Sequence, residues 1–418
     1  MIYLRLDSIL KYLDIDIETD LEINKIKTNS KEVENGDLFL AINKGHYYID
    51  EAINNGAVAI ISENNKHYDV LTIHVESTKE VLKKIGSYLR NLYKIPLIAV
   101  TGSTGKTTTK DLISLILSKK YNVLKSIKNN NNDIGLPLTL LNLNVKYDVV
   151  VTEMGMNHIG EISELSKIAK PDYAVITNIG SAHVGNLGSR DNIFKAKLEI
   201  LDGMNDGVLL LNKKDKYLRK VKYKNKVLVS KRSLKIKKIK YYSDRIEFYI
   251  NKIKFKFNSP FKHILPDVFL AIKIGMLFDV DLNLISSALS EYKFENGRLN
   301  IIKNKYTIID DSYNSSYEAI IGGLSRLKQE KDFKFIILGD ILELGIYSEK
   351  YHKKINKYLR KIKNKQVLLI GEYTKYINGI HFDSVDEINE YLKNHLMDNS
   401  IIYIKGSRKM NLDKVKLQ

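Results

Sequence analysis

Val100-Thr-Gly-Ser-Thr-Gly-Lys-Thr-Thr-Thr-Lys110 carries the strongest structural signal in the sequence. The apolar run Leu97–Val100 before it predicts a buried strand, and the residues from Thr107 to Ser118 predict a helix. Glycines between a strand and a helix let backbone N–H groups converge on an anion, and the helix N-terminus adds its positive dipole end. The stretch therefore predicts a phosphate-binding loop formed by Gly102, Ser103, Thr104, Gly105, Lys106, Thr107 and Thr108.

Two side chains of this loop have predicted roles in binding a nucleoside triphosphate and its magnesium ion. Lys106 should reach the β- and γ-phosphates, and the Thr107 hydroxyl should hold Mg²⁺. A glycine turn with a stray lysine is the alternative, but strand, Gly-Lys-Thr and helix occur together. The loop departs from the general phosphate-loop pattern at Val100, where that pattern has glycine.

Strands alternate with helices on both sides of this loop, which predicts an α/β fold with parallel sheets. The chain has 418 residues, enough for two or three domains. The alternation restarts twice, so we predict a smaller N-terminal α/β domain over residues 1–93, a central P-loop domain over 94–296 and a Rossmann-like C-terminal domain over 297–418. The period-two run 239–257 predicts an antiparallel edge.

Composition excludes several classes of protein. Hydrophobic residues make up 44% and charged residues 28% of the chain, which is typical of globular proteins, and there is no cysteine. The short apolar runs and the N-terminus predict no membrane segment or signal peptide, and hence a cytoplasmic protein. The net charge of +18 is carried mainly by lysine. The densest basic stretch, Lys213–Lys240, has two possible interpretations: solvated strand and loop faces, or a patch that attracts a polyanion. We expect no nucleic-acid partner, and we expect the protein to be a monomer.

Glu153 is a candidate metal ligand, and His183 and Lys197 follow it in the sequence. Glu153 ends the apolar run Val149–Val151 and should face the phosphate loop across the sheet edge, as a Mg²⁺ ligand or as a surface glutamate. His183 follows the next predicted strand, Tyr173–Thr177, and by itself would be a packed or surface histidine. Lys197 follows on a helix and by itself would be an ordinary solvated lysine.

The form Thr-Gly-x-x-Gly-Lys-Thr-Thr resembles the loop of the Mur ligase superfamily, which forms amide bonds in cell-wall precursors and related compounds. Longer segments resemble one branch of it, the D-alanyl-D-alanine-adding (MurF type) ligases. These segments are Asn129–Leu141, Glu153–Ile162, Asp310–Asn314, Leu338–Gly345 and Lys405–Arg408. The Asp-Asn-Pro-Arg motif of the diaminopimelate-adding sister enzyme is absent.

The resemblance implies a reaction and a set of site residues. It implies that ATP activates the carboxylate of UDP-N-acetylmuramoyl-tripeptide as an acyl phosphate, which the amine of D-alanyl-D-alanine then attacks. It implies four catalytic residues, Lys106, Lys197, His183 and Arg298. It also implies four metal ligands, Thr107, Glu153, His183 and Lys197. Lys197 would be carbamylated, which gives Mg²⁺ an oxygen donor. Asn131, Asn132, Asp311 and Asn314 are implied for the nucleotide, and Ser30 and Asn157 for the acceptor.

The chain departs from the resembled pattern at four places, one of which is the loop Asn43–His46, shorter here than usual. The uridine-side motif Asp-Ser-Arg reads Asn29-Ser30-Lys31, the later Asn-Ala-Asn-Pro reads Asn314–Tyr317, and the asparagine expected at adenine is Asp267. Two alternatives to the main reading therefore stay open here. One is a Mur-type ligase with a different amine or acceptor, and the other is a catalytically reduced regulatory paralogue.

Overall fold

A computed structural model describes residues 4–415 of the chain, in three successive α/β units. Residues 1–3 and 416–418, at the outer ends of the predicted first and third domains, lie outside the described residues. Each unit contains a mainly parallel sheet, which confirms the predicted fold class. The boundaries at 93/94 and 296/297 stay predictions. Among the described residues, no helix is both long and apolar enough to span a bilayer.

The first unit contains a four-stranded parallel sheet in the order β3-β4-β5-β6. A short antiparallel pair, β1 with β2, lies beside it. Its strands are β1 (Leu4–Arg5), β2 (Glu22–Ile23), β3 (Ile26–Lys27), β4 (Asp37–Leu40), β5 (Ala57–Ser62) and β6 (Leu71–His74). Its helices are α1 (Leu6–Tyr12), α2 (Ile49–Asn54) and α3 (Thr78–Tyr93).

The central unit contains a six-stranded parallel sheet in the order β12-β11-β10-β7-β9-β8. Its inner strands are continuous apolar runs because helices cover both faces. The strands are β7 (Leu97–Thr101), β8 (Val123–Lys125), β9 (Val149–Glu153), β10 (Tyr173–Ile176), β11 (Val208–Asn212) and β12 (Lys226–Val229). The helices are α4 (Lys106–Leu117), α5 (Gly135–Leu140), α6 (Glu161–Ala169), α7 (Val184–Leu187), α8 (Arg190–Leu198), α9 (Leu265–Leu277) and α10 (Leu282–Glu291).

The period-two stretch after β12 is antiparallel, as predicted, but the prediction that it forms an edge of the central sheet is wrong. It forms a separate three-stranded sheet of β13 (Lys237–Tyr241), β14 (Ile246–Ile250) and β15 (Ile253–Phe257). The inner face of this sheet supplies its own apolar layer, in which Phe248 stacks on Phe255 with ring centroids 5.3 Å apart. The stretch therefore packs as a layer instead of extending the parallel sheet.

The third unit contains a six-stranded sheet in the order β16-β17-β21-β18-β19-β20, in which only the β16–β17 pair is antiparallel. The strands are β16 (Asn300–Lys303), β17 (Thr307–Asp310), β18 (Lys334–Gly339), β19 (Lys365–Ile370), β20 (Ile380–Phe382) and β21 (Ile401–Lys405). The helices are α11 (Tyr317–Leu327), α12 (Ser348–Leu359) and α13 (Val385–His395).

Specific contacts join the central unit to its two neighbours. Arg90 of α3 is 7% exposed and donates to the Ala169 carbonyl (2.8 Å) and to the Asp172 carboxylate (2.7 Å). On the other side, the Tyr347 hydroxyl donates to the Gly188 carbonyl (2.5 Å). A loop of the third unit therefore packs on α7, close to the carboxyl ends of the central strands.

Candidate active site

The predicted phosphate loop connects β7 to α4. Lys106 is the first residue of α4, and its Nζ donates to the Gly102 carbonyl (3.0 Å). Gly105 has a φ of +80°, and a Cβ at Gly102 would lie 1.8 Å from the Thr177 Oγ1 atom. Both positions therefore require glycine. The backbone N–H groups at the start of α4 are available to bind an anion.

The loop is held by the end of the neighbouring strand β10. The Thr104 N–H donates to Asn178 Oδ1 (3.1 Å), and the Ser103 N–H donates to the Asn178 carbonyl (3.0 Å). The Thr177 hydroxyl donates to the Thr104 carbonyl (2.6 Å). The sequence prediction gave Asn178 no role. Its position after an apolar strand, equivalent to that of Glu153, was the available signal.

Glu153, the last residue of β9, faces the phosphate loop as predicted. The Thr107 hydroxyl donates to its Oε2 (2.8 Å), and the Asn131 amide donates to its Oε1 (2.7 Å). The carboxylate is buried, with 2% of the residue exposed. Thr107, Asn131 and Glu153 therefore form one group of oxygen-bearing side chains under the loop.

His183 and Lys197 carry two buried nitrogen atoms that make no hydrogen bond within the described residues, His183 Nδ1 and Lys197 Nζ. Burial, with Lys106 and Lys197 nearby, lowers the pKa of His183 to about 3, so its ring is neutral at physiological pH. Burial and the neighbouring Lys106 also lower the pKa of Lys197 well below its usual value. Lys197 is 0% exposed, so its reading as a solvated lysine is wrong.

These residues have the chemistry to hold Mg²⁺. Mg²⁺ prefers oxygen ligands, which Thr107 and Glu153 supply, and a neutral imidazole is free to bind a metal. No three His, Asp or Glu side chains of residues 4–415 converge into a ready metal cluster. The group therefore fits a cation whose remaining ligands come from a bound phosphate, from water or from a modified Lys197.

The third unit brings charged side chains to the same place. Glu343 lies after β18 with its Oε2 3.3 Å from His183 Nδ1, and burial raises its pKa although Lys106 nearby lowers it. Lys405 ion-pairs with Asp311 (2.6 Å) and donates to the Asn314 carbonyl (3.0 Å). The sequence prediction gave Glu343 no role, although it lies in the Leu338–Gly345 segment that carried the resemblance.

Arg298 lies where the chain enters the third unit. Its guanidinium stands 3.9 Å from the Tyr313 ring centroid, and its Nε lies 3.4 Å from Glu295 Oε2. Both Arg298 and Tyr313 line the cavity between the central and third units. Asp267 lines it too, and a Cβ added to Gly105 would lie 2.3 Å from Asp267 Oδ2. This carboxyl group therefore touches the phosphate loop.

A cavity of about 810 Å³ unites most of the predicted site residues. Its lining includes Ser103, Thr104, Gly105, Lys106, Thr107, Thr108, Asn131, Asn132, Glu153, Asn157, His183, Arg298, Asp311 and Asn314. The Gly102 carbonyl accepts a hydrogen bond from Lys106, and the fully buried Lys197 is near enough to Lys106 for their charges to interact. Ser30 lies apart, in the first unit, where its hydroxyl donates to Glu51 (2.5 Å).

A smaller cavity of about 130 Å³ lies at the carboxyl ends of β4 and β5. Its lining includes Asn43, His46 and Glu63 of the first unit and Ile134 of the central unit. It lies where the first and central units meet, so a ligand of the first unit would face the central unit there.

Two family profiles match the chain. Residues 100–275 match the Mur ligase middle domain, and residues 297–408 match the domain described as "Mur ligase, glutamate ligase domain". The first match contains the phosphate loop, Glu153, His183 and Lys197. The second begins at Gly297 and contains Glu343.

Curated relatives match nearly the whole chain. A UDP-N-acetylmuramoyl-tripeptide–D-alanyl-D-alanine ligase of Rickettsia prowazekii is 32% identical, with 96% of each chain covered. The enzyme of the same name from Buchnera aphidicola (subsp. Baizongia pistaciae) is 33% identical over 94% of this chain and 92% of its own. That of Bacillus subtilis is 31% identical over the same shares.

Solved structures agree with these relatives. MurF of Acinetobacter baumannii superposes with a TM-score of 0.87 at 26% identity, covering 99% of this chain and 98% of its own. MurF ligase of Thermotoga maritima, in complex with ADP, gives 0.83 at 29% identity, with 95% and 97% covered. The chain therefore belongs to the Mur ligase family, in its UDP-N-acetylmuramoyl-tripeptide–D-alanyl-D-alanine ligase branch.

Proposed function

We propose that this chain uses ATP to join D-alanyl-D-alanine to UDP-N-acetylmuramoyl-tripeptide, releasing ADP and inorganic phosphate in peptidoglycan precursor synthesis. One observation carries the proposal: the phosphate loop, Glu153 and His183 line a single cavity with Arg298, Asp311 and Asn314 of the third unit. Such a cavity can hold a nucleoside triphosphate on one side and an incoming amine on the other. Close relatives along the whole chain favour this activity over the two alternatives.

The first step would be phosphoryl transfer to the acceptor. A carboxylate oxygen attacks the γ-phosphorus, the bond to the ADP oxygen breaks, and an acyl phosphate forms. Lys106 and the N–H groups at the start of α4 would stabilise the charge on the phosphoryl oxygens. Mg²⁺, held by Thr107, Glu153 and His183, would neutralise further phosphate charge when bound.

The second step would form the peptide bond. The dipeptide amine attacks the acyl carbon, phosphate leaves, and the nitrogen loses its proton. Asn314 and Asp311 of the third unit would face the amine or the nucleotide, and Arg298 would reach the phosphates. The packing of the third unit over the cavity would exclude the water that hydrolyses an acyl phosphate.

Lys197 would act as a carbamate. Its amine is fully buried, has a lowered pKa and makes no hydrogen bond within the described residues. A neutral amine can react with carbon dioxide, and the product is an oxygen donor of the kind that Mg²⁺ prefers. The negative charge would also offset that of Lys106.

The acceptor would extend from the active site toward the first unit. We assign its UDP end to the first unit, where Ser30 lies, and its peptide end to the large cavity, near Asn157. The small cavity that joins the two units lies between these regions, and His46 lines it.

The proposal is tested by measuring phosphate release from ATP with each substrate left out in turn, and by the mass of the product. Rapid release should require both the UDP-sugar tripeptide and D-alanyl-D-alanine, and should yield the pentapeptide. Equal release without the dipeptide would identify an ATP hydrolase instead. A product formed only with another amine would keep the ligase chemistry and replace the substrate.

A further inference from the structure

The positive charge of the chain is concentrated in one segment. Residues 213–262 contain 16 lysines and 3 arginines against 3 acidic residues, a net charge of +16 out of the chain's +18. The other 368 residues are nearly balanced, at +2. A lysine-rich composition spread over the whole chain would not produce this asymmetry, so the charge belongs to a particular surface.

This charge is displayed to solvent. Of the 19 basic residues between 213 and 262, 17 are exposed and the other two are partly exposed. They lie on and around β12, the edge strand of the central sheet, and on the three-stranded sheet that follows. The segment therefore concentrates exposed basic side chains near the β12 edge of the central sheet and on the small sheet.

The register of the small sheet orders part of this charge into a plane. One row across the three strands consists of Lys237, Tyr249 and Lys254. A second row consists of Lys240, Glu247 and Lys256. Directly opposed residues share a face of an antiparallel sheet. Lys237, Lys240, Lys254 and Lys256 therefore project from the outer face, which we call the basic face.

The opposite face of this sheet is apolar. Phe248 lies opposite Phe255, and both are 0% exposed. On the basic face, the carboxylate of Glu247 is already paired with Arg245 (2.9 Å) and Lys254 (3.0 Å). One side of the sheet is thus fixed in the core, while the other presents a net positive charge.

We propose that the basic face docks the protein on the surface of an anionic lipid bilayer. Lysines near a negatively charged leaflet each contribute about 1 kcal/mol of attraction, and a planar array lets many of them act together. Tyr242, 37% exposed, follows β13 at the turn into β14, where the Arg245 guanidinium lies 4.2 Å from its ring centroid. Tyrosine is enriched at the headgroup level because its ring is apolar and its hydroxyl polar.

Nucleic acid is the competing polyanion, and the composition of the region disfavours it. Bidentate contacts to phosphates and bases favour arginine, yet only 3 of the 19 basic residues are arginines. The four lysines of the basic face are also spread over a sheet surface instead of following one line of phosphates. A diffuse anionic surface fits this arrangement better.

The basic face is separate from the catalytic cavity. None of the lysines and arginines from 213 to 262 lines that cavity. Docking would therefore hold the enzyme at a bilayer without using active-site residues, and loss of docking should leave the ligation of soluble substrates unchanged.

The test is co-sedimentation of the full-length protein with vesicles of phosphatidylcholine containing a quarter phosphatidylglycerol, compared with pure phosphatidylcholine, at about 0.1 M salt. One variant carries Lys237→Gln, Lys240→Gln, Lys254→Gln and Lys256→Gln. A matched variant carries Lys350→Gln, Lys354→Gln, Lys357→Gln and Lys361→Gln, four exposed lysines on or just after α12. Ligation activity reports that each variant is folded.

The wild type and the α12 variant should bind the anionic vesicles and not the neutral ones. The basic-face variant should lose at least about tenfold in partition coefficient and retain wild-type ligation. The proposal is overturned if the wild type does not bind anionic vesicles or if the two variants lose binding equally. Tighter binding of an oligonucleotide, with displacement of the vesicles, would overturn it in favour of nucleic acid.

Discussion

The Nδ1 atom of His183, in the central unit, lies 3.3 Å from the Oε2 atom of Glu343, in the third unit. The imidazole is neutral, because burial and the adjacent lysines lower its pKa to about 3, so the contact is not an ion pair. Burial raises the pKa of Glu343, and the charge of Lys106 and hydrogen bonds from the Asn314 side chain and the His183 backbone act against that increase. Glu343 therefore brings a carboxyl group of the third unit within the electrostatic reach of Lys106 in the phosphate loop.

Replacement of Glu343 should therefore reduce turnover more than ATP binding. Glu343→Ala removes the carboxylate that links the third unit to Lys106, and we expect kcat to fall on the order of tenfold to a hundredfold. The KM for ATP should change much less, since the phosphate loop is untouched. Steady-state ligation kinetics check this, with Glu349→Ala, an exposed glutamate of α12, as the control. A Glu343→Ala enzyme with wild-type kcat would contradict the role.

Two lysines of α4 should have opposite phenotypes. Lys106 faces the cavity, so Lys106→Ala should lower ligation about 10²-fold or more and leave the unfolding free energy nearly unchanged. Lys110 is 1% exposed and donates to the carbonyls of Ser126 (2.8 Å) and Lys128 (3.2 Å). Lys110→Ala should lower the free energy of unfolding by about 1–3 kcal/mol, because it leaves buried carbonyls without a donor.

The pair is measured by urea unfolding and by ligation rate. The phosphate-loop assignment fails if the folded Lys106→Ala protein turns over nearly normally. The structural role of Lys110 fails if its alanine variant is as stable as the wild type.

Much of this site could be predicted from local sequence, because a phosphate loop is built from consecutive residues. Glu153 and His183 could be placed as well, since the carboxyl ends of neighbouring parallel strands meet at one edge of a sheet. Glu343 could not, because it reaches the site only through packing of the third unit on α7. The burial of Lys197 was equally hidden, since the helical pattern around it does not reveal which face is covered.

The strands, too, were predictable where the sequence signal is local and not where packing with other strands determines them. The apolar strands of the central sheet were predictable from their composition, whereas no strand is predicted at the edge strand β12, which contains a single lysine, or at the short β8, β16 and β20. Their sequences have weak β patterns, and neighbouring strands stabilise them. The lysine-rich stretch 239–257 has a clear period of two, but only tertiary packing determines that it forms its own sheet.

Asp267 predicts a pH dependence of ATP binding. Burial raises the pKa of Asp267 well above its usual value, so the group is neutral at low pH and ionises as pH rises through its folded-state pKa. An ionised carboxylate touching the phosphate loop at Gly105 repels phosphate, so the KM for ATP should rise several-fold toward alkaline pH. Asp267→Asn keeps the shape without the charge, and its KM should depend less on pH.

The Asp267 carboxyl group should also make the stability of the folded protein decrease as the pH rises. An acid whose pKa is raised on folding loses its stabilising contribution as pH rises from the unfolded-state pKa through the folded-state pKa. Asp267→Asn should therefore raise the Tm relative to the wild type, and by more at pH 8 than at pH 5. Thermal unfolding at both pH values measures the difference. A constant difference, together with parallel KM profiles, would show that Asp267 stays in one protonation state.

Lys197 provides the sharpest test of the metal site. Its amine is buried beside Lys106, so as an ammonium it would repel a cation, whereas as a carbamate it would supply an oxygen ligand. Lys197→Ala should lose most ligation activity, and a short-chain carboxylic acid should partly restore it by occupying the space left by the side chain. Lys197→Arg should not be rescued, because guanidinium fills the site and keeps the positive charge.

The control is Lys195→Ala, which replaces an exposed lysine of the same helix and should be fully active without additive. Ligation rate is measured against carboxylate concentration for all three variants. Full activity of Lys197→Ala without any additive would exclude Lys197 from the site.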